Sequence, residues 1–511
     1  MKNKKVVIIG AGINGLISAN YLKKNGFDVT ILEKSNKIGG ACTSEKTFIE
    51  NKEINYSVGA TVFGMMPNFI FKETGLEKKV KIFSPNHPKI VYFPGDDIGT
   101  KIFKDPRELS KELKKKWDEN GSLISFRNDE KKVIDFIRNG YKNAETPSIY
   151  KAIERLGLSL TNLWIKGSAR DLLNHYFTSE KTKTYIGMTV IESGPTSFND
   201  PFSSFTIPLM DSGSVFEGYW GYVKEGIGKI TENLNQINNA IGITTLLNIN
   251  IESINSNNCE IKLINNDKKN KIKYDYLVFA TDPVTPSILL SDSILKKKLD
   301  SKKYTGSSGK ITAFFRNPVV WKESSEYKDS DSAFRFIFSV DNLDDFEKNS
   351  QRVINPNYNY EPGYIQIYCE GAAQRKLNNI EAFDKLILFT KNFSFNKKSE
   401  DLEVIKNKIL NKVFCHIKNP QDCIYSNFLT PLDLKNKFHF PEGNIDHIML
   451  TNKQTFMDRS YSNDPKNKFY QYSNYENIFY CGAGAYPCGS VGGTAGYMLA
   501  KQLIKLQFNS K

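Results

Sequence analysis

The feature that most constrains this chain is a short apolar run that ends in glycines. Val6-Val7-Ile8-Ile9 is β-branched throughout, as in a parallel strand covered on both faces, and it leads directly into Gly10-Ala11-Gly12-Ile13-Asn14-Gly15. Leu16 to Lys24 then reads as a helix, Gly26 ends it, and Phe27 to Leu32 reads as a second strand closing at Glu33. Together they make one βαβ unit of the kind that binds a dinucleotide. Gly10 permits the tight turn, Gly12 lets backbone approach a pyrophosphate, and Gly15 lets the helix pack close to the strand. The helix N-terminus at Ile13 and Asn14 offers free N–H groups to the phosphates. Glu33 lies 18 positions past Gly15, where a carboxylate can accept hydrogen bonds from an adenosine ribose and repel a 2'-phosphate.

Past Glu33, Lys34 to Ile38 lead into Gly39-Gly40-Ala41-Cys42, a second place where backbone can approach a ligand closely. Ile249 to Ile254, Cys259 to Ile264 and Tyr274 to Phe279 read as strands, the last followed by Ala280-Thr281-Asp282-Pro283. Near the far end, Asn477 to Tyr480 delivers Cys481-Gly482-Ala483-Gly484-Ala485-Tyr486-Pro487-Cys488-Gly489-Ser490-Val491-Gly492-Gly493, and Tyr497 to Leu506 reads as a closing helix.

These segments resemble the phytoene desaturase-like carotenoid/retinoid oxidoreductases within the flavin amine oxidase superfamily. Trp220 to Gly228 resembles the family's segment preceding the return strand, and Leu429 to Leu434 and Gly443 to His447 resemble, within the family, the branch called pyridine nucleotide-disulfide oxidoreductase domain-containing protein 2. The resemblance implies an α/β fold with a Rossmann-like FAD-binding domain assembled from discontinuous segments 1–84, 216–289 and 441–511. An α+β substrate or cap domain would take 85–215 and 290–440. It implies FAD as cofactor, held by Gly10, Gly12, Ile13, Asn14, Gly15 and Glu33 of the first unit together with Lys34, Gly39, Gly40, Ala41, Ile251, Ala280, Thr281, Gly482, Gly484, Gly489 and Val491. The family's loop commonly carries His and three successive glycines where this chain has Tyr486 and Pro487-Cys488-Gly489-Ser490. Tyr486 and Cys488 are therefore expected near the flavin, and Arg170, in Ser168-Ala169-Arg170-Asp171, matches a family segment in the substrate half. These three are the catalytic candidates.

Composition narrows the remaining classes. The 511 residues carry 70 Lys+Arg against 56 Asp+Glu, a net charge of +14, but the lysines are scattered through Asn-rich stretches and form no nucleic-acid motif. No nucleic acid is expected as a partner. The seven cysteines include no C-x-x-C pair and the five histidines are dispersed, so neither a metal site nor a dithiol motif is expected and a reducing, cytoplasmic location fits. Lys2, Lys4 and Lys5 before Val6 to Ile9 imitate a signal peptide, but the apolar run is too short. The Lys-rich segment Lys111 to Trp117 suits peripheral contact with an anionic membrane surface.

In the intervening stretches, Pro106 to Trp117, Lys131 to Tyr141 and Tyr150 to Leu156 read as helices, with Gly157 ending the third. Lys310 to Arg316 and Tyr364 to Cys369 read as strands, and Ile380 to Thr390 as a helix. Aromatic residues crowd 176–222, from Tyr176 and Phe177 to Trp220 and Tyr222, and some are expected to line an apolar cavity. The reaction implied is FAD-dependent oxidoreduction at C–H and C–C bonds of an apolar, polyene-like small molecule of carotenoid or retinoid type. A quinone or oxygen would serve as electron acceptor. A flavin amine oxidase and a non-catalytic flavin-binding partner protein are the competing readings.

Overall fold

The computed structural model describes residues 3–265, 268–355, 360–394 and 402–509. Its strands divide between two principal sheets. The first is wholly parallel, in the spatial order Ile478–Tyr480, Tyr276–Phe279, Lys5–Ile9, Asp28–Leu32, Thr244–Leu246. Val6 to Ile9 lie at its centre and are buried, as their unbroken β-branched run requires. The helix Ile13–Lys24 packs on this sheet beside the helices Gly228–Ala240 and Thr494–Asn509. Three separated parts of the chain therefore build one nucleotide-binding layer. A three-stranded antiparallel sheet, Asn250–Asn255, Glu260–Asn265 and Lys268–Lys273, adjoins it; sequence reading found the first two strands and missed the third.

The second principal sheet has seven strands in the order Cys423–Leu429, Gly309–Phe315, Asp384–Thr390, Tyr364–Tyr368, Phe334–Phe338, Lys89–Tyr92, Thr100–Ile102. One face, with Phe336, Tyr368 and Phe389, joins the main core, while Ile311, Ile367 and Leu388 on the other face form a separate core with the helix Leu402–Phe414. The helix expected at Ile380 to Thr390 is instead the strand Asp384–Thr390, paired on both sides and buried at all seven positions. Burial on both faces removes the alternation that marks a strand, leaving an apolar run that resembles a buried helix. Ile380 itself is 94% exposed.

The helix Pro106–Trp117 forms as expected, with Pro106 in its first turn and the Asp105 carboxylate accepting from the Arg107 and Glu108 amides. Its apolar stripe of Leu109, Leu113 and Trp117 is buried in the protein, so only its lysine face points outward. Gly157 interrupts its helix at φ +80°, and further helical turns follow over 158–166. Of the crowded aromatic residues, Phe198, Phe205 and Tyr222 are core.

Candidate functional site

All strands of the parallel sheet end at the same side, and a cleft of about 500 Å³ opens outside their carboxyl ends. Gly10, Gly12, Ile13 and Asn14 form one wall at the start of the first helix, and Glu33 and Lys34 end the second strand beside them. Gly39, Gly40 and Ala41 close over the turn, with the Gly39 amide donating to the Ala11 carbonyl at 2.9 Å. Ile251, Ala280 and Thr281 contribute the middle, and Gly489 and Val491 the far end.

Local chemistry explains why the sequence folds this way. The Glu33 carboxylate accepts the amides of Ala11 at 2.7 Å and Ser35 at 2.8 Å, which ties the tip of the second strand to the glycine turn. A Cβ on Gly12 would meet nothing within 4 Å, so that position faces open space, whereas one on Gly15 would stand 2.1 Å from the Gly10 carbonyl oxygen. Gly12 makes room for a ligand and Gly15 for the fold. Gly482 and Gly484 join Gly15 in not lining the cleft: a Cβ on Gly482 would sit 1.9 Å from the Thr281 oxygen, and on Gly484 it would crowd Tyr480 and Tyr461. Ala483, between them, reaches the cleft.

The cradle fits an FAD. The helix Ile13–Lys24 starts with no side-chain cap and no acidic residue in its first turn, leaving its amides and positive dipole end for phosphates. Asn14 Oδ1 and His447 Nδ1, on residues that line the cleft, are buried without partners, as is Asp446 Oδ2 beside Gly489. Orphaned polar atoms in such places are what a hydroxyl- and amide-rich ligand would satisfy. Burial holds the His447 imidazole down to about 4, so it is neutral at pH 7.

The far loop is held by a buried arginine that no motif singled out. Arg459, fully buried, donates to the carbonyls of Ala483 at 2.9 Å, Ala485 at 3.3 Å, Asp446 at 2.8 Å, Gln454 at 3.2 Å and Ile448 at 3.4 Å. Asp446 Oδ1 in turn accepts the Gly489 amide at 3.0 Å. This anchoring sustains Ser490 and Val491 at φ +61° and +58° on the cleft wall. For a β-branched residue that backbone costs on the order of 1–3 kcal/mol, and such strain concentrates at ligand sites.

The opposite wall comes from the seven-stranded sheet. Lys310, Phe389 and Gln366 are register neighbours on adjacent strands and so share the face turned toward the cleft. Lys310 Nζ donates to the Gly59 carbonyl at 2.6 Å and Thr61 Oγ1 at 2.8 Å. Burial pushes this amine down to about 7, opposed only by the Glu370 carboxylate. Trp220, Tyr368, Phe389, Glu192 and Lys391 line the cleft there. None of these except Trp220 was legible beforehand, because their proximity depends on strand pairing.

The three catalytic candidates lie elsewhere. Tyr486 is buried among Tyr141, Phe456 and Phe469 and does not line the cleft. Cys488 is buried too, and burial pushes its thiol well above the ordinary range, which keeps it un-ionised. Arg170 instead braces two helices, donating to Asp344 at 2.7 Å and Glu347 at 2.8 Å on the helix Leu343–Gln351. Which way these side chains point depends on packing that the sequence does not display. Among the described residues no cluster of His, Cys, Asp and Glu could hold a metal ion.

Comparisons with known proteins agree with this construction. Residues 8–69 match the family model described as an NAD(P)-binding Rossmann-like domain. The chain is 24% identical over 515 residues, 95% of its own length and 95% of the relative's, to a 4,4'-diapophytoene desaturase (4,4'-diaponeurosporene-forming) of Staphylococcus aureus. Among solved structures it superimposes on a putrescine oxidase triple mutant with TM-score 0.63 at 13% identity, covering 100% of this chain and 99% of that one. Cyclohexylamine oxidase from Brevibacterium oxydans gives TM-score 0.62 at 13% identity, with complete coverage of both chains. The chain thus carries a Rossmann-like dinucleotide-binding unit in the fold shared by these oxidases, and it is similar along nearly its whole length to a diapophytoene desaturase.

Proposed function

We propose that this protein is an FAD-dependent oxidoreductase that removes or adds hydrogen at C–H and C–C bonds of a long, largely apolar, polyene-like substrate. The observation that carries the reading is the cleft itself: one side is a dinucleotide cradle, and the other is a wall of Trp220 with Tyr368 and Phe389 from the sheet. When bound, FAD supplies the group that accepts hydride or electrons. The chain binds it through the Gly12 turn and the Gly489–Val491 loop and excludes water with the aromatic wall. Lys310, buried behind the wall and not lining the cleft, holds Gly59 and Thr61 in place through Nζ. The 24% identity over 95% of the chain to a desaturase supports a polyene substrate. The amine oxidases support only the shared fold, so amine oxidation is the weaker reading.

A quinone or oxygen as electron acceptor, and membership in the pyridine nucleotide-disulfide oxidoreductase domain-containing protein 2 branch, belong to the same proposal. Among the described residues no helix is long and apolar enough to cross a membrane. Peripheral contact is better served by the helix Ile149–Leu160, where Tyr150, Ile153 and Leu158 are exposed, than by the inward-facing stripe of Pro106–Trp117. The test is to load the chain with FAD, add a polyene extract without oxygen, and follow flavin absorbance. Bleaching that a quinone reverses supports the reading; a flavin that no polyene or quinone affects overturns it.

A further inference from the structure

Leu429 to Leu434 and Gly443 to His447 lie at the two ends of one short segment, the helix Pro431–Phe438 and the turn after it, which the proposed chemistry does not use. The helix follows directly on Cys423–Leu429, the edge strand of the seven-stranded sheet, so it belongs to the substrate side of the molecule. Its start is closed by its own residues: Thr430 Oγ1 accepts the Asp433 amide at 3.2 Å, and the Asp433 carboxylate accepts the Thr430 amide at 2.8 Å. Its end is closed by His439 in left-handed backbone at φ +58°. Of its eight residues Pro431 and Leu434 are buried, and a helix this short with so little buried surface needs a further hold to keep one place. Leu434, Lys437 and Phe438 line the cleft.

The hold is a carboxylate. Glu45 stands on the strand Ser44–Ile49, just past the Gly39 turn, and its two oxygens take one lysine each: Oε1 accepts from Lys37 at 3.0 Å and Oε2 from Lys437 at 2.8 Å. All three residues line the cleft, yet the Lys37 and Lys437 side chains are 47% and 34% exposed, so they mark its rim. Lys37 lies between Glu33 and Gly39 on the nucleotide side, whereas Lys437 comes from the substrate side. Burial alone would raise the Glu45 carboxyl, but the hydrogen bonds from Lys437 and Lys37 outweigh it and hold it below its ordinary value, so the group is charged at pH 7.

These ion pairs join the two halves of the cleft across its rim. We propose that Glu45 is a positioning residue for the cofactor: by holding Lys437 it keeps the helix Pro431–Phe438 across the mouth of the cleft and sets how fast FAD enters and leaves. This rests on the reading above, in which the cleft holds FAD. The latch acts on the passage and not on the bound cofactor, so breaking it raises both rates together and leaves the affinity almost unchanged. A residue that merely touched FAD would change chiefly the rate of release. Because the pair is partly exposed, salt weakens it.

The test uses the full chain. Release is read by loading it with isotope-labelled FAD and chasing with excess unlabelled FAD; uptake is read by stopped-flow flavin fluorescence on the cofactor-free chain. Glu45→Ala and Lys437→Met are each expected to speed release and uptake alike by about two- to fivefold, the scale of one partly exposed ion pair. The double substitution should go no further than either alone, because both cut the same link. The two substitutions change the charge of the rim in opposite directions, so a common effect cannot come from attraction of the FAD phosphates. In high salt the unsubstituted chain should approach the rates of the variants, which salt should move less. Faster release with unchanged uptake, opposite effects of the two substitutions, or unchanged rates in both variants would each overturn the latch while leaving the FAD reading intact. A chain that takes up no FAD overturns both.

Discussion

The two walls of the cleft are built on different principles. On the nucleotide side the ligand is met by backbone: a glycine turn, an uncapped helix start, a second glycine pair and a strained loop, with Glu33 and Arg459 holding the carbonyls and amides in place. On the sheet side it is met by side chains: Gln366, Tyr368 and Phe389 from paired strands, Lys391 just past one of them, and Glu192 and Trp220 from separate segments packed against the sheet. Backbone recognition fixes one kind of ligand, because atoms of the main chain are the same in every protein and only their path can be selected. Side-chain recognition leaves the chemistry of the second ligand free to vary. One fold can therefore keep a cofactor while changing its substrate.

That contrast breaks first where backbone positions are altered. Gly15→Val should abolish flavin retention and cost roughly 3 kcal/mol or more, since its Cβ collides with the Gly10 oxygen. Gly12→Ala, with nothing near its Cβ, should change the stability of the cofactor-free chain by less than about 0.5 kcal/mol yet weaken FAD binding about tenfold or more. Denaturant unfolding paired with flavin titration separates the two; equal destabilisation by both would erase the distinction between a ligand glycine and a packing glycine. Arg459→Met should cost about 3–5 kcal/mol, because five buried carbonyls lose their donor.

The first unit was legible because its signal is local: strand, glycines, helix and acidic tip fall within the first 33 residues, and Gly10 and Gly15 have no room for a side chain. The C-terminal loop was legible as a glycine-rich turn, but Tyr486 and Cys488, expected near the flavin, do not line the cleft, because glycine density says where backbone bends and not which way neighbouring side chains point. Two strands of the seven-stranded sheet were legible. Gly309–Phe315 and Tyr364–Tyr368 follow from their composition, whereas Asp384–Thr390 is buried on both faces and carries no strand period. Lys310 could not be found without the strand pairing that places it, nor Glu192 without the packing of its segment against Gln366.

On the sheet side, Lys310 gives a pH signature. Its folded value of about 7 lies below the ordinary 10.5, so between those limits the unfolded chain binds more protons and stability rises with pH, by up to about 1.4 kcal/mol per unit. Lys310→Met should flatten that slope in denaturation curves taken at pH 7 and pH 9. A slope that survives the substitution would place the titration elsewhere. The smallest effect belongs to Arg170→Ala: its ion pairs join two helices at the surface, so it should cost less than about 1 kcal/mol and leave flavin content and turnover unchanged. A collapse of turnover in that variant would restore Arg170 as a catalytic group.

The most direct test of the central claim is equilibrium titration of the cofactor-free chain with FAD and, separately, with NAD, read by flavin and nicotinamide absorbance after separation of free ligand. Tight retention of one FAD per chain, little NAD, and loss of the FAD in Gly12→Ala and Gly15→Val are the predicted result. A chain that retains NAD and not FAD, or binds FAD equally well when Gly12 and Gly15 are replaced, would contradict the account.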